Sequence, residues 1–210
     1  MCVAIFMFVS VAQVDVKAVD CMFVDDPIVI SKIEAEPKMR YGFTLIKNMS
    51  EEAEIVKVKQ SKKIAKITIE DNKSDIYIKP LKTGKATLTV TVKNGSETEV
   101  YKIKLTIVKY KNPVKGFKVG GKEYKNKFNK RTFYVAKVPK KDRVVKFRVK
   151  TKKGYKARTA TYFYETEDGM KAVQVKNGQK FLLRAAKGSF QINLVNKKNG
   201  NVDNLVVWYE

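Results

Sequence analysis

From Pro27 onward, apolar and polar residues alternate in short runs that are rich in Val, Ile, Thr, Tyr and Phe. A period of two places successive side chains on opposite faces of a β-strand, so each run can bury one face. Turn-forming residues separate the runs, among them Asn94-Gly95, whose glycine can supply the positive φ of a tight hairpin. The pattern therefore predicts an all-β fold made of antiparallel sandwiches.

The individual runs predict where the strands lie. They cover residues 28–33, 41–46, 62–70, 75–78, 86–92 and 100–108 in the first half, and 114–119, 132–138, 144–149, 160–165, 171–175, 180–184, 189–195 and 202–209 in the second. Residues 49–58 carry a helix-start signature, Ser50 followed by Glu51 and Glu52, which predicts a single helical turn. In the last strand, Trp208 is expected to pack in the core with Val206.

A domain boundary is predicted at residues 110–113, where a strand ends and Pro113 interrupts further pairing. Residues 1–110 hold 18 basic and 14 acidic side chains, a net charge of +4, whereas residues 111–210 hold 26 and 7, a net charge of +19. The charge of +23 therefore belongs mainly to the second half. We predict two tandem immunoglobulin-like β-sandwich domains, over residues 19–110 and 111–210, after an N-terminal signal segment of residues 1–18.

The signal segment is predicted from an uncharged apolar run over residues 2–12, followed by Val16-Lys17-Ala18 with its small final residue. A first buried strand is the alternative. The run is shorter than the about 20 apolar residues of a transmembrane helix, so we expect no membrane-spanning segment. Cleavage after Ala18 leaves Cys21 as the only cysteine, which excludes an internal disulfide. The expected location is outside the cell or peripheral to a bacterial cell surface.

The chain contains no histidine. This excludes Ser-His-Asp and Cys-His hydrolases, histidine-ligated zinc sites and most general-base chemistry near neutral pH. We predict no catalytic residues, no metal site and no cofactor.

Ala65-Lys66-Ile67-Thr68 and the segment IYIKPLKTGKATLTVTV over residues 76–92 resemble the core of bacterial group 2 immunoglobulin-like domains. The resemblance covers about residues 27–109. It implies a noncatalytic spacer or adhesion module on secreted and surface proteins, with positive φ or close backbone approach at Gly84. It also implies a core face formed by alternate residues of one strand: Ala86, Leu88, Val90 and Val92. The second half is similar, more faintly, to Lys-rich β-domains of secreted clostridial proteins.

Basic residues concentrate in one strand and the loop after it. Val145, Phe147 and Val149 are expected to point inward, which leaves the alternate positions basic and exposed. The candidate polyanion-binding residues are Lys146, Arg148, Lys150, Lys152, Lys153, Lys156 and Arg158. The alternative is a solvated face whose lysines discourage edge pairing. No nucleic-acid-binding motif is present, so nucleic acid is not the expected partner.

Tyr162 and Tyr164 lie two residues apart on one predicted strand and share a face, while Phe163 lies on the other. Two outward tyrosines could stack on sugar rings, and the alternative is that they belong to the core. Glu165, Glu167 and Asp168 form a tight acidic group, and paired carboxylates are what a glycosidase needs. A turn at Asp168-Gly169 with solvent-exposed ion pairs is the simpler explanation.

Together these features predict a noncatalytic module in which an immunoglobulin-like spacer carries a basic β-domain. The expected partner is an anionic cell-wall polymer or polysaccharide. The alternatives are an adhesin that binds a protein partner through loops, and a carboxylate-dependent glycosidase.

Overall fold

The computed structural model describes residues 27–45 and 53–210. The strands are β1 (Ile28–Lys32), β2 (Tyr41–Thr44), β3 (Ala53–Gln60), β4 (Ala65–Ile69), β5 (Asp75–Pro80), β6 (Gly84–Asn94), β7 (Glu97–Lys109), β8 (Val114–Val119), β9 (Lys122–Glu123), β10 (Phe133–Ala136), β11 (Arg143–Thr151), β12 (Tyr155–Thr166), β13 (Gly169–Val175), β14 (Lys180–Leu183), β15 (Gly188–Asn196) and β16 (Val202–Tyr209). A 3-10 helix covers Lys125–Phe128. The predicted all-β sandwich class is confirmed.

The prediction for residues 49–58 is wrong where the structure describes it, because Ala53–Gln60 form strand β3. Ala53 and Ile55 are buried and β3 pairs with β6, so tertiary pairing outweighs the local helix-start signature. Residues 49–52 lie outside the described residues, as do the predicted signal segment and Cys21. In the described ranges, no helix is long and apolar enough to cross a membrane.

Strands β1 to β7 form two sheets, with the orders β1-β7-β6-β3 and β2-β5-β4. Ala86, Leu88, Val90 and Val92 of β6 are buried, as the family resemblance implies. Gly84 has a φ of 150°. The hairpin between β6 and β7 turns through Gly95, whose φ is 59°, in agreement with the predicted turn.

By its internal contacts the chain divides into two compact units. One unit comprises Arg40–Thr106 with Ile28, and the other comprises Val29–Met39 and Ile107–Glu210. The second unit is thus discontinuous in sequence. The domain limits of 19–110 and 111–210 stay predictions.

The second unit contains a five-stranded sheet of order β10-β16-β15-β12-β13 and a four-stranded sheet of order β14-β11-β8-β9. Strand β10 pairs with β16 in parallel, which departs from the antiparallel pairing expected from the sequence. The other pairings within these two sheets are antiparallel. The core contains Phe117, Phe147, Phe190 and Tyr162, all almost fully buried.

Glu36 attaches the early segment of the second unit to strand β10. Its Oε1 accepts hydrogen bonds from the backbone N–H groups of Thr132 and Phe133, at 2.8 and 3.0 Å. Its Oε2 accepts one from the Thr132 hydroxyl at 2.7 Å. Charge-assisted bonds of this kind are stronger than neutral ones, so one carboxylate satisfies the first backbone donors of an edge strand.

Trp208 is not in the core, and the prediction for this residue is wrong. Leu205, Val207 and Tyr209 take the buried positions of β16, whereas Val206 and Trp208 lie on its outward face, half-buried. The Trp208 ring lies 6.5 Å from that of Phe133, centroid to centroid. Alternation decides the face, since Trp208 must point away from the side that its two neighbours occupy.

Gly188 of β15 leaves no room for a side chain. A Cβ there would lie 2.1 Å from the carbonyl oxygen of Phe163 and 2.9 Å from the Cα of Tyr164, both backbone atoms of the neighbouring strand. Gly188→Ala is therefore expected to lower the free energy of unfolding by about 3 kcal/mol, measured by urea denaturation. Gly116→Ala is the matched control, because its Cβ would have ordinary contacts at 3.6 and 3.9 Å. Equal stability of the two variants would contradict this account of β15.

Asp203 is a buried carboxyl in β16, next to Ser31 and Asn201. Burial raises its pKa above the ordinary 3.8, although hydrogen bonds with Ser31 and Asn201 act in the opposite direction. At pH values between the pKa of Asp203 in the unfolded chain and its higher pKa in the folded chain, the folded state binds more protons than the unfolded state. Stability is therefore lost as pH rises through that window and stays constant above it.

Asp203→Asn cannot ionise and escapes that loss. We expect the free energy of unfolding of the variant, relative to the unaltered protein, to increase as pH rises from about 3.8 and then to level off. Urea denaturation at a series of pH values measures it, with the exposed Asp71→Asn as control. A difference that does not change with pH would show that the carboxyl does not titrate as described.

Candidate functional site

Strand β11 carries three of the seven candidate cations, and its inward and outward positions alternate as expected from the sequence. Val145, Phe147 and Val149 are buried, and the alternate residues Lys146, Arg148 and Lys150 are exposed. The inward residues belong to the core of the second unit, so the strand cannot slip by one residue without burying three charges. Packing therefore fixes the outward direction of these side chains.

The neighbours of β11 add further cations to the same face. Lys146 is directly opposite Lys180 of β14, and Arg148 is directly opposite Lys118 of β8. Directly opposed residues on one sheet face have Cβ atoms about 5 Å apart, and like charges at such positions repel each other. We call Lys118, Lys146, Arg148, Lys150 and Lys180 the basic face.

The sequence analysis missed Lys118 and Lys180. Each lies in a predicted strand, but only the register shows that it faces a cation of β11. An alternation pattern gives the face of a strand and does not give its partner. These two residues can therefore be identified only from the strand pairing in the tertiary structure.

Glu123 is the acidic side chain beside this face, in the short strand opposite Lys118. Its Oε1 accepts the backbone N–H groups of Phe117 and Lys125, at 2.8 and 2.9 Å. Burial raises the pKa of Glu123, but these two hydrogen bonds and the charges of Lys118 and Lys125 outweigh it, so the net shift is downward. Within residues 27–45 and 53–210, the ion pairs include no member of the basic face.

The other four predicted cations lie elsewhere in the second unit. Lys152 and Lys153 are exposed at the turn between β11 and β12. Lys156 and Arg158 are exposed on β12, which belongs to the five-stranded sheet. The seven candidate residues are therefore all accessible, but only three of them share one sheet face.

The proposed sugar-stacking pair, Tyr162 and Tyr164, requires a correction. Tyr162 is fully buried, and its hydroxyl accepts the backbone N–H of Arg184 at 3.1 Å. The Tyr164 ring is half-buried and stacks on Tyr162 with centroids 5.3 Å apart, and the Arg184 guanidinium lies 5.7 Å from it. A register shift of β12 between Ala157 and Ala160 directs these tyrosines into the core, so the pair cannot present two rings to a sugar.

The acidic group has the geometry of a turn. Asp168 forms an exposed ion pair with Lys171 at 3.2 Å and precedes Gly169, whose φ is 106°. Glu165 and Glu167 are exposed, and Glu165 pairs across the strands with Met170. These positions fit the hairpin that joins β12 to β13.

Opposed cations on the basic face cost folding free energy, and one substitution can remove the cost. Lys180→Glu replaces a repulsive cross-strand pair with an attractive one, so we expect it to raise the free energy of unfolding by about 0.5 kcal/mol at low salt. Urea denaturation at low and high salt measures this effect. Lys187→Glu, at an exposed position outside the face, is the control for the change of net charge. If the two variants gain equally, general charge repulsion and not the Lys146 pair is responsible.

Comparison with known proteins adds little to this site. No family model matches the chain, and no curated protein matches it.

Among solved structures, it is similar to surface layer protein SbsC, domains 4-9, with 11% identity over 91% of this chain and 32% of that chain and a TM-score of 0.30. The N-terminal four Ig domains of Dscam1 isoform 8.4 have 10% identity over 88% of this chain and 50% of that chain, with a TM-score of 0.32. Endo-fucoidan hydrolase MfFcnA4 has 10% identity over 90% of this chain and 28% of that chain, with a TM-score of 0.26. The chain thus spans about a third of the SbsC structure, and likenesses of this size carry no argument about function.

Proposed function

We propose that this protein is a noncatalytic extracellular module whose second unit docks on an anionic cell-wall polymer through the basic face. The first unit serves as a spacer. The observation that carries the proposal is the two pairs of opposed cations on one exposed sheet face, Lys146 with Lys180 and Arg148 with Lys118.

The repulsion within these pairs supports an anionic ligand. Like charges held at opposed positions oppose folding, and a polyanion lying between them replaces repulsion with attraction on both sides. Arg148 adds a planar donor group that can hold a phosphate or carboxylate with two hydrogen bonds. The free energy lost in the unbound sheet is thus recovered on binding.

The spacing of the basic face also suits a chain of repeated anions. Neighbouring strands lie about 4.8 Å apart, and successive outward residues along one strand are about 6.7 Å apart. Lys152 and Lys153, at the turn after β11, can extend contact beyond the sheet. A flexible polymer with one anion per repeat unit can therefore meet several cations at once, and each contact releases a counterion.

The test measures binding of the full chain to immobilised poly(glycerol phosphate) teichoic acid across a salt series. We expect affinity to fall steeply with salt, and a triple variant with Lys146, Arg148 and Lys180 changed to Glu to lower the slope of log affinity against log salt by about three. The matched control changes Lys130, Lys137 and Lys187 to Glu, which alters net charge equally at exposed positions that flank strands of the five-stranded sheet.

The control decides between a defined face and net charge alone. Equal loss of affinity in the two triple variants would overturn the basic face as the docking site. Binding to protein in the cell envelope that ignores both salt and charge reversal would support an adhesin instead. Duplex DNA is included as a second polyanion, and binding to it in preference to the teichoic acid would contradict the proposed partner.

A further inference from the structure

Part of the outward side of the five-stranded sheet has a surface of opposite character. Its side chains form two continuous rows across β10, β16, β15, β12 and β13, one residue from each strand. The first row is Val135, Trp208, Ser189, Phe163 and Ala172, and the second is Phe133, Val206, Gln191, Thr161 and Gln174. We call these ten residues the neutral face.

None of the ten residues is charged, in a half of the chain where 26 of 100 side chains are basic. On the other sheet, three outward positions of β11 are basic, Lys146, Arg148 and Lys150, and a fourth, Val144, is apolar and exposed. Phe133 and Val135 are 43% and 49% exposed, so large apolar groups face solvent here. Exposed apolar groups that lie together on an uncharged part of such a basic half of the chain point to a contact site.

The rings of this face are arranged as a shallow platform. Trp208 lies beside Phe133, with ring planes inclined by 32°. Ser189 separates Trp208 from Phe163 along the first row, and its short side chain is buried. Two strand spacings, about 10 Å, separate Trp208 from Phe163, so the two rings can contact alternate sugars of an extended chain.

Amide and hydroxyl groups lie among the rings. The Gln191 Nε2 donates to Ser189 Oγ at 2.9 Å, and the Asn204 Nδ2 donates to Gln191 Oε1 at 3.4 Å. Gln174 and Thr161 continue the second row. Neutral donors and acceptors between aromatic rings match sugar hydroxyls beside apolar C–H faces, and binding them requires no desolvation of a charge.

A second copy of the chain is a poor occupant for this surface. Each copy carries a net charge of +23, and the repulsion between two such chains opposes their approach. An uncharged ligand meets no such penalty.

We propose that the neutral face binds a neutral, extended polysaccharide, with sugar rings stacked on Trp208, Phe133 and Phe163 and hydroxyls bonded to Gln191. This site is separate from the basic face, lies on the other sheet of the second unit and does not depend on the anionic-polymer proposal. The sequence analysis placed a sugar contact at Tyr162 and Tyr164, whereas Phe163 of the neutral face lies on the opposite side of β12.

The chain contains one tryptophan, so its emission reports on Trp208 alone. The experiment titrates the full chain with the neutral soluble polysaccharides xyloglucan, mixed-linkage β-glucan and galactomannan, and follows tryptophan emission and retardation in native gels that contain each polymer. We expect a blue shift of emission and retardation with at least one of them, both insensitive to salt because no ion pair forms.

Phe133→Ser removes an exposed ring with little effect on folding and should weaken binding about tenfold. Phe163→Thr is the second ring variant. Val144→Ser is the matched control, because Val144 is a 68% exposed apolar residue on the other sheet and should leave binding unchanged.

Several outcomes would overturn the proposal. These are an unshifted emission with all three polymers, equal weakening by Phe133→Ser and Val144→Ser, and binding that salt abolishes. A blue shift that depends on protein concentration alone would identify the neutral face as a self-association surface and would also overturn it. None of these results changes the outcome of the teichoic acid experiment, so either proposal can fail while the other stands.

Discussion

The second unit depends on a cluster of aromatic rings between its two sheets. Phe147 and Phe190 lie 4.7 Å apart, and Phe117 meets Phe147 edge-on at 5.9 Å. Each ring comes from a different strand, so the cluster ties β8 and β11 of one sheet to β15 of the other. A slip of any strand by one residue would replace a ring by its polar neighbour, and the cluster therefore sets the register of both sheets.

Once the inward positions are fixed, the outward positions are free to differ between the two sheets. The four-stranded sheet carries opposed cations, and the five-stranded sheet carries rings and amides. These surfaces act over different ranges. A cluster of charges attracts a polyanion over about 10 Å at moderate salt, whereas rings and amides act only in contact. One core can thus support long-range capture on one side and short-range recognition on the other.

Much of this architecture follows from alternation, and the exceptions have physical causes. The buried face of β11 was predictable because Val145, Phe147 and Val149 are apolar and their neighbours are charged. Strand β12 was ambiguous, since Tyr162, Phe163 and Tyr164 give both faces an aromatic character, and its irregular pairing between Ala157 and Ala160 decides which face is buried. Strand β3 was missed because Ser50 and the glutamates after it resemble a helix cap. The attachment of residues 29–39 to the second unit carries no local signal at all.

The contacts of that early segment have a consequence for the time course of folding. Glu36 meets Thr132 across 96 residues, and Ser31 meets Asn201 across 170. Strand β16, which lies between β10 and β15, follows both of them in synthesis. On the ribosome, residues 40–106 emerge in full long before β16 does, and until then β10 has no neighbouring strand to pair with. Contacts of such separation close slowly, so the nascent chain must keep its apolar strands from wrong partners until β16 arrives.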